Sequence, residues 1–397
     1  MLRRTVLTAA GGLLLAGRAG AEEKPIKIAL IYGKTGPLEP YARQTEAGFM
    51  LGLEYATKGT MMIDGRKIEV IFKDDQLKPD MGKAALEQAY GDDKVDIAVG
   101  TTGSPVALAM LPVAEEYKKI LVVEPAVADQ ITGAKWNRYI FRTARNSSQD
   151  ALAAAATLKD ENISIATLAQ DNAFGKDGIA SLKEALKAVG SKAKVVHEEY
   201  TPAQTTDFTA PGQRLFDSLK DKPGRKVIAI VWAGPHPLPK LMDLKPERYG
   251  IEMAPGGNIL PVMAGWKQFP GLTGAIYYYW GFPKNPVNDW LVSEYKKKNN
   301  GAPPDFFVAG GMSAAMAVVQ AIQKAKSTDT EKLIAAMEGM EFDTPKGKMT
   351  FRKEDHQALQ SMYEWRMKKD PPDNYDLLEL VREIPASEMN LPIKNKR

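Results

Sequence analysis

The residues with the best claim to chemistry lie in VGTTGSPVALAMLP, positions 99–112. An apolar, strand-like run stops at Val99, and a turn of Gly100, Thr101, Thr102 and Gly103 follows. Ser104 then stands where a helix N-cap belongs, with Pro105 at the first helical position. Unpaired backbone N–H groups and the positive end of the helix dipole would converge on the carboxyl end of the strand, a geometry that suits a carboxylate. The dipole contributes only about 0.3–1 kcal/mol in the open and ~2 kcal/mol when partly buried. Binding would therefore need several donors and apolar contact together. The plainer reading of the same stretch is a serine that caps its own helix. A second strand end, VVEPAVADQITG at 122–133, has Pro125 to stop the strand and the small Ala126 and Ala128 to let a ligand near the backbone. A compact turn built of small side chains explains that stretch equally well. Ligands of open parallel sheets sit beyond such carboxyl ends.

Other chemistries find less support. In IALIYGKTGPLEPYARQTEAGF, positions 28–49, Gly-Lys-Thr follows an apolar run as a phosphate loop would. The glycine that loop requires five residues before Gly33 is Ile28, so the backbone cannot curl around a phosphate chain. The three histidines, His197, His236 and His356, are far apart and lack ligand spacing, which argues against a metal site. Neither a G-x-S-x-G elbow nor G-x-G-x-x-G occurs. The expectation is a protein that is not an enzyme and carries no cofactor.

The elements that must position these groups alternate. Strand patterns at 26–32, 67–72, 95–100 and 120–125 are separated by helix patterns at 41–57, 79–90 and 105–117. The order restarts with helices at 147–158, 175–189 and 208–219 and strands at 163–170, 194–200, 227–234 and 257–264. Repeated β-α order predicts α/β architecture with two parallel-sheet lobes. FRTARNSSQD (141–150) reads as a first crossover and GAIYYYWGFPKNP (274–286), a strand ending in a Gly-Pro break, as a second. Helices follow at 287–298 and 306–324; the latter is rich in Ala, Gly and Met but holds Ser313 and Gln320, which favours burial over a membrane span. DTPKGKMTFRKEDHQA (343–358) is polar, SMYEWRMKK (361–369) alternates like an edge strand, and residues 390–397 read as a mobile tail.

Bulk properties bound the partners. Arg3 and Arg4, an apolar run to Ala16 and small residues to Ala21 read as an export signal over residues 1–21. There is no cysteine, hence no disulfide and no lipid-modified N-terminus, which fits a periplasmic solute. Fifty-three Lys and Arg against 49 Asp and Glu give no nucleic-acid or membrane-surface signal. A chain of this length divides into two core-bearing lobes.

The ordered series of motifs resembles the periplasmic branched-chain (hydrophobic) amino-acid binding proteins. IKIALIYGKTGPLEPYARQTEAGFMLGLEY carries a strand, a Gly36-Pro37 turn, an aromatic at Tyr41 and the Ala47-Gly48 pair. The likeness continues through VGTTGSPVALAMLPVAEEYKKILVVEPAVADQITG, YIFRTARNSSQDA, LAQDNAFGKDG and TTDFTA to TPKGKMTF. It implies a type I periplasmic binding fold, two lobes joined by three crossovers, divided as 22–145 with 284–342 and 146–283 with 343–397. It implies the substrate-binding component of an ABC uptake transporter, a monomer that hands a small carboxylated solute to a membrane permease. By the same resemblance Ser104, with the N–H groups of its neighbours Thr102 and Gly103, would hold the ligand carboxylate. Ala126 would contact the head group through its backbone, and Tyr41 and Phe174 would be cleft aromatics from opposite lobes.

Several positions depart from the family pattern. A hydroxyl residue is replaced by Ala128, and a tyrosine after WAG by Pro235, followed by His236. The acid that pairs with a substrate ammonium would fall near Ala264, where VMAGW holds no carboxylate. An ammonium buried without an anion is costly. Either Asp171 or Glu124 substitutes, or the ligand has no ammonium and Trp232, His236 and Trp266 build a site for an aromatic or other organic acid. Hydrophobic amino acids lead, organic acids follow, and a sensory role that presents the ligand to a membrane receptor is the rival.

Overall fold

The computed structural model of the protein describes residues 24–156, 158 and 162–395, so the expected export signal lies outside the described residues. The first apolar run becomes β1 (Ile26–Tyr32), in which every residue but Lys27 is buried, as a strand covered on both faces must be. Then come α1 (Glu39–Ala56), β2 (Met62–Ile63), β3 (Arg66–Asp74), α2 (Pro79–Gly91), β4 (Ile97–Gly100), α3 (Ser104–Tyr117), β5 (Leu121–Val123) and β6 (Ile140–Arg142). They form a six-stranded sheet in the order β2-β3-β1-β4-β5-β6, parallel apart from the β2–β3 pair. Its register sets Ile31 of β1 beside Gly100 of β4 and Val99 beside Val122 of β5. The carboxyl ends of three strands therefore open side by side.

The order restarts with α4 (Ser147–Ala156), β7 (Ile163–Gln170), α5 (Ala173–Ala188), β8 (Lys194–Thr201), α6 (Thr209–Leu219), β9 (Arg225–Val231), α7 (Leu238–Asp243) and β10 (Ile251–Ala254). Their strands make a second parallel sheet in the order β10-β9-β7-β8. The remainder is α8 (Leu260–Ala264), β11 (Thr273–Ile276), α9 (Pro286–Lys298), α10 (Phe306–Ala325), α11 (Thr330–Met337), β12 (Glu341–Thr344), β13 (Gly347–Phe351), β14 (Ala358–Leu359), β15 (Met362–Met367), β16 (Leu378–Ile384) and α12 (Ala386–Met389). Two small antiparallel sheets, β11-β15-β16 and β12-β13-β14, complete the lobes.

Four sequence-based expectations need correction. The apolar run at 257–264 is not a strand: Pro261 sits in the first turn of α8, where its missing N–H does no harm, and the strand is the shorter β10 just before it. The aromatics at 277–280 leave the strand after Ile276, so Tyr277, Tyr278 and Tyr279 are buried in a bend. SMYEWRMKK supplies β15, the central and not the edge strand of its sheet. The third crossover falls between Leu359 and Met362, later than the expected 342/343, because Met349, Phe351 and Ala358 pack in the core around β1. The tail also departs from expectation: Arg352 donates to the Leu391 and Pro392 carbonyls, and Lys394 pairs with Asp129 at 2.8 Å and Glu184 at 2.5 Å.

α10 is long and apolar enough to cross a membrane, yet it is buried along most of its length. It lies backbone to backbone against α1. A Cβ on Gly48 would stand 1.9 Å from the Val308 carbonyl oxygen, and one on Gly311 2.2 Å from that of Thr45. No side chain can yield there, so the helices would have to part. Gly48→Ala should lower unfolding free energy by about 1–3 kcal/mol or more, read from the urea midpoint.

Candidate ligand-binding site

Between the two lobes, beyond the carboxyl ends of β4 and β5 on one side and β7 and β9 on the other, lies a cavity of about 260 Å³. Its floor is the start of α3. Gly103, in extended conformation, occupies the N-cap, and Ser104 is the first helical residue. The serine does not cap its helix. Its Oγ instead accepts from the backbone N–H groups of Val127 (3.3 Å) and Ala128 (3.1 Å), which ties the loop after β5 to α3. With two donors on its lone pairs the hydroxyl has its own proton left to give, and Ser104 lines the cavity. Among the described residues, no protein acceptor takes the Gly103 or Ser104 N–H. The neighbouring loops are laced in the same way. Thr102 Oγ1 accepts from Gly33 N at 3.1 Å, Thr101 Oγ1 bonds the buried Asp75, and Ala126 N–H donates to the Thr101 carbonyl at 3.1 Å.

Seven of the expected residues meet here: Tyr41, Thr102, Gly103, Ser104, Ala126, Phe174 and Trp232 all line the cavity. The N–H of Ala126 is already used by Thr101, so that donor is not open to a head group. Two of the expected residues do not reach the lining. Ala128 lies behind it, its N–H on Ser104 and its carbonyl accepting from Arg142 at 2.7 Å. His236 is half-buried, edge-on to Trp266 with 4.9 Å between ring centres, and its Nδ1 accepts from Leu238 N; the loss of hydration there pushes its pKa down to about 3. Trp266 is itself wholly buried, stacked near Trp365.

Tyr41 does more than line the cleft. Its hydroxyl donates to Asn258 Oδ1 (2.9 Å) and accepts from Gly234 N (2.8 Å), so one side chain of the first lobe is bonded twice to the second. Its ring rests on Phe307, 4.4 Å away, and burial raises its pKa to about 12.

Sequence reasoning missed the charged pair of the site. Arg145 lies against the ring faces of Tyr277 (4.7 Å) and Phe306 (5.2 Å), and its Nε sits 3.1 Å from Asp150 Oδ1. Burial works against its charge, but Asp150 and its other neighbours hold its pKa above the ordinary arginine value. Both residues line the cavity. The other acid of the lining, Glu252, is paired with Arg225 at 2.8 Å. Every carboxylate of the lining is thus matched by a guanidinium. Of the two acids considered as substitutes for the missing one, Asp171 is half exposed beside Lys176 (2.7 Å) and Glu124 is buried behind the site; neither lines it. Glu124 accepts from Thr143 at 2.9 Å through Oε2, while among the described residues Oε1 has no partner. Burial pushes it up to about 7, against the opposing charges of Arg145 and Lys346.

Two α/β lobes facing one cavity at their strand ends have the architecture of a ligand-capturing protein. The chain matches the family described as "Periplasmic binding protein" over residues 25–371, and it belongs to that family. It is 27% identical over 350 residues to the leucine-, isoleucine-, valine-, threonine- and alanine-binding protein of Pseudomonas aeruginosa, covering 86% of this chain and 90% of that one. A solved structure described as an ABC-type branched-chain amino acid transporter from Rhodopseudomonas palustris CGA009 is 68% identical, with a TM-score of 0.83 over 94% of this chain and all of that one. A solute-binding protein of an ABC transporter from Rhodopseudomonas palustris BisB5, in complex with 3,4-dihydroxybenzoic acid, is 27% identical with a TM-score of 0.75, covering 91% and 98%. The fold is that of the type I periplasmic binding proteins.

Two outcomes follow from this geometry. Ser104→Ala strands two buried amides, so it should cost about 1–3 kcal/mol in thermal or urea unfolding as well as weaken carboxylate binding. Glu124 holds a proton in the folded state between its ordinary 4.5 and about 7 that the unfolded chain has lost, so stability should fall as pH rises through that window. Glu124→Gln should flatten this slope by at least about 1 kcal/mol between pH 5 and 8, measured by urea unfolding at each pH.

Proposed function

We propose that this protein is the periplasmic receptor of an ABC uptake system and captures a small carboxylate with an apolar body and no ammonium group. One observation carries the reading. Among the described residues the N–H donors at the start of α3 have no partner, whereas both carboxylates of the lining already hold an arginine. The cavity offers donors to an acceptor, whereas a cation would have to compete with a guanidinium for either carboxylate. Phe174, Trp232 and Tyr41 supply apolar contact for the body of the guest.

Capture needs no covalent step. A ligand that touches the start of α3 on one lobe and Phe174 on the other binds the closed arrangement better than the open one, and shifts the population by that difference. The closed form is then what a membrane permease would receive. Catalysis has no role in this account, in keeping with relatives that are binding proteins of transporters.

The second reading is a hydrophobic amino acid, favoured by the ligands named for the Pseudomonas relative and by the description of the Rhodopseudomonas structure. Its ammonium would have to displace Arg145 from Asp150. The dihydroxybenzoate complex of the third relative favours the amine-free reading. Calorimetric titration with leucine, valine, 4-methylpentanoate and benzoate separates them. Binding of the amine-free acids at least about tenfold tighter than of leucine is expected; leucine binding more tightly than 4-methylpentanoate, its near-isostere without the amine, would reverse the assignment.

A further inference from the structure

The cavity does not stop at the cleft. Past Trp232 it follows the face of β9 that carries Val231, Ala229 and Val227, alternate residues that point the same way, and it reaches Arg225 at the strand's start. Seven residues of strand cover about 20 Å at ~3.3 Å each, so the space runs the depth of the second lobe. The facing wall is Ala154 of α4, Leu158 beyond it and Leu182 of α5. α4 packs on α5, β11 and β15, and the gap lies between it and the β9–β10 edge of the sheet.

The walls of this channel are mostly apolar, with Thr273 of β11 a polar residue on the same lining. Between its two ends its walls on β9, α4 and α5 are aliphatic, and the small Ala229 and Ala154 face it where longer side chains would fill it. At the far end Arg225 is neutralised by Glu252, with Nε 3.0 and 2.9 Å from the two carboxylate oxygens, so nothing there asks for a second charged group. A long apolar space continuous with a carboxylate site suits one occupant, the tail of the same molecule. We propose that the ligand is an elongated aliphatic monocarboxylate, its head at Ser104 and its tail threaded along β9 into the second lobe. This rests on the reading of the head site as a carboxylate site.

The test is a calorimetric series of straight-chain acids from butanoate to decanoate, with benzoate alongside. Affinity should rise about fourfold per methylene, the value of burying each in an apolar channel. Ala229→Leu on one wall and, independently, Ala154→Leu on the other should each cut the rise short at a medium chain and leave butanoate binding unchanged. A series flat beyond butanoate, or variants that climb as the unaltered protein does, overturns the channel while leaving the carboxylate site standing. Failure of every acid, benzoate included, removes both.

Discussion

The two hydrogen bonds that Ser104 accepts from Val127 and Ala128 are the constraint on which the site depends. They fasten the loop leaving β5 to the first turn of α3, and in doing so they decide what the serine can still offer. Its lone pairs are engaged by the protein, so what it has left to offer is its proton. The bonds from Gly33 to Thr102 and from Ala126 to Thr101 extend the lacing across the ends of β1, β4 and β5. The three loops are tied into one floor whose donors are held in place by the protein's own bonds. Preorganisation of this kind removes an ordering cost from binding.

The charged groups along the cavity are organised by balance, one pair near the cleft and one at the start of β9. Arg145 is held flat between aromatic faces and Asp150, and Arg225 is held by Glu252. A lining in which positive and negative side chains are already matched gains little from a second ion, so selectivity falls to hydrogen-bond donors and to shape. Glu124, left with one bare oxygen behind this arrangement, is kept near neutrality by the same burial that excludes it from the site.

Much of this was legible in the residues. Apolar runs such as IALIY announce strands buried on both faces, and the glycine-threonine turn before Ser104 marks the floor of the cavity whatever the serine does there. Other features depend on packing that local pattern does not encode. β10 is a four-residue edge strand, too short to outweigh the longer apolar run that Pro261 turns into α8. Arg145 sits in a polar crossover, where a charged residue looks solvated until Tyr277 and Phe306, far along the chain, fold over it. Ala126 and Ala128 look equivalent in sequence, but only the first faces the cavity. A lone histidine after a strand end such as His236 gives no hint of the Trp266 ring that packs edge-on to it, outside the cavity lining.

α10 has a consequence for how the molecule comes apart. Its amino-terminal residues, Phe306 to Met312, are buried with the core that includes β7 and β9, while Ala317 to Ile322 are buried with the core around β1. Melting either core would strip half of the helix of its neighbours and expose a stretch of Ala, Val and Met to water. The two lobes are thereby thermodynamically fused, and heat should dissolve them together in a single cooperative transition.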